Sequence, residues 1–196
     1  ATPLTTGKTW GGTVQYDATT GAQTIVTGTY NNLTLSNTSG TDTAGGNLVV
    51  NGTLTTAAGG TLNMVTYDLS VANVTNSGTI RTQSLSATPL TTGKTWGGTV
   101  QYDAAGGQAI MVGTYNNLTL SGSGAKTFSV GTTTVNGILS MEGTATTTLT
   151  GTLTYGTNAT LQYNTLTART AGAEWITPFA ATGGVIIANT GKITLN

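Results

Sequence analysis

Few side chains in this sequence could do chemistry. Asp17, Asp42, Asp68, Asp103, Glu142 and Glu174 are the only acids, six Lys and Arg residues are the only strong bases, and there is no His and no Cys. A β-helical polysaccharide hydrolase or lyase needs carboxylates converging on one bond, commonly beside Arg or Lys. Here the acids are scattered singly. Calcium would require several clustered oxygen ligands, and a structural zinc its thiolate or imidazole ligands. The sequence therefore predicts no catalytic residue, no metal site and no cofactor. Asp17 and Asp103 occupy matching places, each after a Tyr and before a Gly-bearing turn, and are expected to form turns through local hydrogen bonds.

The aromatic residues also come in matched sets: Trp10 with Trp96, Tyr16 with Tyr102, and Tyr30 with Tyr115. On an exposed face Trp10, Trp96, Tyr30 and Tyr115 could stack on sugar rings; buried, the same residues would pack between layers of the fold. Runs such as Thr146 to Thr154 place Thr at alternate positions, as an ice-binding face would. A ladder of that kind needs constant spacing, which this sequence lacks, so a solvated β face is expected.

The elements that must position these residues are set by a repeat. Residues 1–18 recur unchanged as 87–104, and 28–36 recur as 113–121. Within each copy a shorter phrase returns, Asn or Gly followed by a small polar residue and an aliphatic: Gly12-Thr13-Val14, Gly52-Thr53-Leu54, Gly78-Thr79-Ile80, Gly98-Thr99-Val100 and Gly151-Thr152-Leu153. Its intervals suit one coil of a solenoid, in which each coil lays short strands on the previous one. Composition agrees. Thr numbers 49 and Gly 29, and only 6% of residues are charged, which favours strands and tight turns over helices. The fold expected is all-β: one continuous, elongated, largely parallel β-solenoid of roughly ten coils over residues 1–196, built from imperfect repeats 1–86 and 87–196. Two tandem β-sandwiches, one per copy, are the alternative. Zero net charge removes the basic surface that nucleic acid would need, and no run of eighteen apolar residues marks a membrane span.

With phrases such as Gly12-Thr13-Val14-Gln15-Tyr16, Tyr30-Asn31-Asn32-Leu33-Thr34-Leu35, Val135-Asn136-Gly137-Ile138-Leu139 and Gly184-Val185-Ile186-Ile187 in hand, the chain resembles the repeat regions of large secreted bacterial surface proteins of the adhesin type. That resemblance implies an extracellular or cell-surface structural or adhesive role. The expected partner is the chain itself, head to tail, or neighbouring repeats of a longer chain. Surface glycans are the alternative partner, bound by a carbohydrate-binding module or, further off, a polysaccharide-active enzyme. The C-terminal stretch Asn189-Thr190-Gly191-Lys192-Ile193 matches Asn76-Ser77-Gly78-Thr79-Ile80 at Asn, Gly and Ile, and the latter leads into the second copy. The end of one molecule thus resembles the stretch that internally precedes the repeated block. Junction candidates are Ala1, Leu4, Trp10, Val14 and Tyr16 at one end and Val185, Ile187, Ile193 and Leu195 at the other.

Overall fold

A computed structural model describes residues 4–195, with twenty strands and no helix among them. The first half of the chain holds β1 (Lys8–Tyr16), β2 (Thr24–Ile25), β3 (Gly28–Leu35), β4 (Thr41–Ala44), β5 (Leu48–Thr56), β6 (Thr61–Asn63), β7 (Leu69–Asn76) and β8 (Thr79–Thr82). The second begins with β9 (Lys94–Tyr102), β10 (Gln108–Ile110), β11 (Gly113–Leu120), β12 (Ala125–Phe128), β13 (Thr132–Val135) and β14 (Ile138–Glu142). It ends with β15 (Thr146–Leu149), β16 (Thr152–Tyr155), β17 (Thr160–Asn164), β18 (Arg169–Thr170), β19 (Val185–Ile187) and β20 (Ile193–Thr194).

Every strand pairing is parallel, and each joins a strand to the one lying a coil further along. The fold is a β-solenoid of about nine turns. Tandem β-sandwiches are excluded, since their strands run antiparallel. The count falls just below the ten expected because coil length drifts, from 18 residues between Thr61 and Thr79 to 24 between Leu161 and Val185.

Alternation of inward and outward side chains builds the core. Leu62, Ile80, Val100, Leu118, Leu139, Leu161 and Val185 stand in one column through successive registers, and all but Val185 are at most 1% exposed. Burying each such side chain contributes about 1.5–3 kcal/mol. One column of aliphatics per stack suffices for a coil of about 20 residues, which is how a sequence poor in Leu, Ile and Val still folds.

The glycines of the short phrase lie where successive backbones nearly touch. A Cβ on Gly52 would meet Asn31 O at 2.5 Å, on Gly78 Ala57 O at 2.4 Å, on Gly98 Gly78 O at 2.2 Å and on Gly151 Ser129 O at 2.1 Å. Only Gly fits there. Gly12, in the same local sequence as Gly98, has nothing within 4 Å among the described residues, because β1 is the first strand of the stack.

The two copies do not sit on the same side of the solenoid. Each coil of the first copy contributes three strand segments: the two halves of a bulged strand (for example 28–30 and 32–35 of β3) and a short one such as β4. Were the copies in phase, β9, whose sequence is that of β1, would lie on β7 in β1's own sheet. Instead its second half pairs with β8, with Ile80 opposite Val100, so β9 joins the stack begun by β2, β4 and β6. Its first half covers the end of β7, where Lys94 Nζ donates to Ala72 O at 2.6 Å. The cause is arithmetic. A repeat of 86 residues at about 20 per coil makes about 4.3 coils, so identical sequences return one stack further round.

Gly98→Ala is expected to destabilise the protein by about 2 kcal/mol or more, whereas Gly12→Ala, with the same sequence neighbours, should stay within about 0.5 kcal/mol. Thermal melts of the two variants decide, and equal losses would contradict the stacking described.

Candidate functional site

The structure keeps the six acids apart, and no group of three or more His, Cys, Asp or Glu side chains comes together among the described residues. Five of the six, all but the exposed Asp17, are instead engaged by their own coil or the adjoining one. Asp68 accepts from Ser84 Oγ at 2.6 Å and Ser86 Oγ at 2.8 Å. Glu142 accepts from Ser140 Oγ at 2.9 Å and Asn164 Nδ2 at 3.3 Å. Asp103 pairs with the Arg81 guanidinium one coil earlier and accepts from Gln83 Nε2 at 3.2 Å. The turn-forming role expected of Asp103 is therefore corrected: its side chain ties two coils together. Asp17, its exposed counterpart, lies on the first coil, with no Arg81-like neighbour beneath it among the described residues.

The most buried polar groups were not singled out by sequence. Lys126, on β12, points inward and is 0% exposed. Its Nζ donates to Ala104 O at 2.9 Å, Gly106 O at 3.0 Å and Gln108 Oε1 at 2.8 Å. Gln108 in turn donates to Thr82 O and Ser84 O, both at 3.1 Å. The amine and Gln108 together fasten three consecutive coils at the corner between β9 and β10. Burial lowers the pKa of Lys126 to about 8, against the weaker pull of the Asp103 charge. In the first copy the matching strand β4 carries Asp42, also 0% exposed, which accepts from Gln23 N at 3.0 Å and whose pKa burial raises. The signal was in the repeat. Thr-Asp-Thr-Ala and Ala-Lys-Thr-Phe align as β4 and β12, and alternation places the charged residue on the inward side in both.

Glu174 forms a third such knot. It is fully buried and accepts from Thr147 Oγ1, from Tyr163 OH at 3.1 Å and from Gly172 N at 2.9 Å, pinning the loop 171–184 against the last coils. Its carbonyl accepts from Tyr155 OH at 2.8 Å. Burial, with the Glu174 charge second, raises the pKa of both phenols.

Of the aromatics proposed to meet sugars, Trp96, Tyr30 and Tyr115 are 0% exposed and present no face to a ligand. Tyr30 OH donates to Val26 O, and Tyr115 OH to Met111 O at 2.7 Å. Trp10 alone of the four is partly exposed, stacked on Tyr30 with centroids 4.6 Å apart. Depressions on the surface are shallow. One of about 620 Å³ beside Thr66, Gln83, Leu85, Asp103 and Gly106 offers a single acid that is already paired. Outward Thr hydroxyls bond across coils, Thr127 to Thr148 at 2.7 Å and Thr134 to Thr154 at 2.9 Å.

The residues expected at a junction lie at the two ends of the stack. Leu4, Trp10 and Val14 are half-buried on the first coil; Val185 and Ile193 are half-buried and Ile187 and Leu195 about half exposed on the last. Tyr16 is buried beneath β3, its hydroxyl accepting from Val26 N at 3.0 Å, so it meets a neighbour only through its backbone. Ala1 lies outside the described residues. Among the described residues β1 pairs only with β3, β2 only with β4, β19 only with β17 and β20 only with β18, leaving strand edges open at both ends.

No family model, curated protein or solved structure matches this chain. No helix among the described residues is long and apolar enough to cross a membrane.

Because the folded-state pKa of Lys126 lies below its unfolded value, the unfolded chain holds the extra proton at pH 8–10. The stability of the parent relative to Lys126→Gln should therefore rise from about pH 8 to about pH 10, a difference from which the opposite pull of the buried phenols, shared by both proteins, cancels. Denaturant titrations across this window check the sign. Equal slopes in both proteins would contradict it.

Proposed function

We propose that this chain is a structural or adhesive element of the cell exterior, acting as a head-to-tail fibre subunit or as a stalk segment of a surface adhesin. The observation that carries the proposal is the use to which the polar chemistry is put. Lys126, Asp103 and Glu174, which an enzyme would aim at a substrate, are each spent on fastening one coil to the next. What remains outward is mainly Thr, Asn and Gly, with single exposed residues such as Asp17, Leu85 and Val130 among them and strand edges unpaired at both ends among the described residues. About nine coils at a strand spacing of about 4.8 Å make a spacer about 43 Å long. A thin aliphatic core with a neutral surface suits a spacer that must stay folded outside the cell, where no other structure supports it.

Carbohydrate binding is the second reading, and one observation favours it: Trp10 keeps part of its ring exposed at the end of the solenoid. A glycan array and a panel of polysaccharides separate the two. The structural reading expects neither saturable binding nor turnover. Saturable binding lost on Trp10→Ala would move the function to a glycan-binding module. Turnover lost on replacing any one of the six acids would overturn both.

A further inference from the structure

The repeat performs an experiment on the open edge of β1, because the same nine residues, Lys-Thr-Trp-Gly-Gly-Thr-Val-Gln-Tyr, occur as β1 with nothing beneath among the described residues and as β9 with a coil beneath. Burial differs at three matched inward positions, while Tyr16 and Tyr102 are both buried. Leu4 and Val14 are half-buried where Leu90 is 1% and Val100 0% exposed, and Trp10 is partly exposed where Trp96 is 0%. Gly12 has an empty space where Gly98 has the Gly78 carbonyl. That carbonyl accepts from Thr99 N at 3.0 Å. Since alternate amides of a parallel strand point to opposite neighbours, Thr13 N points toward the missing coil. The underside of β1 is thus a complete receptor for a segment shaped like Gly78–Thr82.

The opposite end of the molecule carries such a segment. Gly191-Lys192-Ile193-Thr194 follows the course of Gly78-Thr79-Ile80-Arg81: Gly191 rests over the previous coil as Gly78 does, its Cβ position 2.4 Å from Thr167 O where that of Gly78 is 2.4 Å from Ala57 O. The strand that follows is β20 in one case and β8 in the other. β20 leaves its outer edge unpaired among the described residues, with Leu195 51% exposed.

We propose that β20 of one molecule docks under β1 of a second copy in the register of the internal junction. Gly191 O accepts from Thr13 N across the space at Gly12, and Lys192, Ile193, Thr194 and Leu195 lie opposite Thr13, Val14, Gln15 and Tyr16. The contact is heterologous and leaves the same edges open at the far ends, so it propagates. It rests on the fibre form of the proposed function and adds the partner, the surface and the register. Each added molecule continues the ladder as β9 continues β8, one stack further round.

The chain has no Cys, so single cysteines report the register without interference. Gln15→Cys and Thr194→Cys, mixed and mildly oxidised, should give a covalent heterodimer, since facing residues on neighbouring strands lie within disulfide reach, about 5 Å between Cα atoms. Gln15→Cys with Asn189→Cys, out of register, should cross-link at least about tenfold more slowly, a difference of about 1.4 kcal/mol. Gly12→Val fills only empty space in the monomer, so it should melt as the parent does while losing self-association in sedimentation. Equal cross-linking at 189 and 194, or fibres that survive Gly12→Val, would overturn this junction while leaving a fibre subunit intact. A parent chain that stays monomeric at millimolar concentration would overturn the junction and leave the stalk reading, which the glycan and polysaccharide panels test separately.

Discussion

Everything in this molecule depends on the backbone of one coil lying directly on the backbone of the one before. Parallel strands satisfy their N–H and C=O groups only through neighbours a full coil away, so no coil is complete by itself. Close approach is enforced where glycines face carbonyls at distances that leave no room for a Cβ, as at Gly98 over Gly78 and Gly151 over Ser129. Once the backbones are that near, the inward residues of successive coils fall into columns, and one Leu, Ile or Val per stack fills the interior. The corners, where strand pairing lapses, are held by buried polar knots. The Lys126 amine spans carbonyls of the preceding loop, and Glu174 gathers Thr147, Tyr163 and Gly172.

A chain built this way carries its functional potential in its length and its ends. Most side chains with chemistry are inward or paired, Asp17, Lys8 and Lys192 being exposed, and the outward faces carry chiefly Thr, Asn and Gly. Among the described residues the first coil has no neighbour beneath it, and Trp10 and Val14 are half-buried in β1 where Trp96 and Val100 are fully buried in β9. The offset between copies adds a geometric property. Because 86 residues exceed four coils by about a third of one, successive copies present the same surface on successive sides, and any outward feature winds around the axis rather than running along it.

Much of this was legible in the sequence. The Gly-Thr-aliphatic phrase marked the coils because it reports two constraints at once, a backbone contact at Gly and an inward side chain two residues later; Gly52-Thr53-Leu54 and Gly98-Thr99-Val100 behave so in the structure. The phase of the copies was not legible, since it depends on how many residues each corner consumes, and polar corners such as 83–89 carry no periodicity. The knots were hidden for a related reason. A lone Lys in a Thr-rich strand looks solvated, and only the alternation shared with Phe128 turns Lys126 inward. Asp103 looks like a local turn former in the sequence because its partner, Arg81, lies 22 residues away, about one coil, a distance that matters only once coil length is known.

The central claim is that each coil is completed by the coil beneath it, and amide exchange tests it most directly. Thr13 and Thr99 share the same flanking sequence, so their intrinsic exchange rates match, and nuclear magnetic resonance resolves the two sites. In the monomer Thr99 N–H, bonded to Gly78 O, should be protected at least about a hundredfold more than Thr13 N–H. Equal protection of the two amides in the monomer would contradict the account.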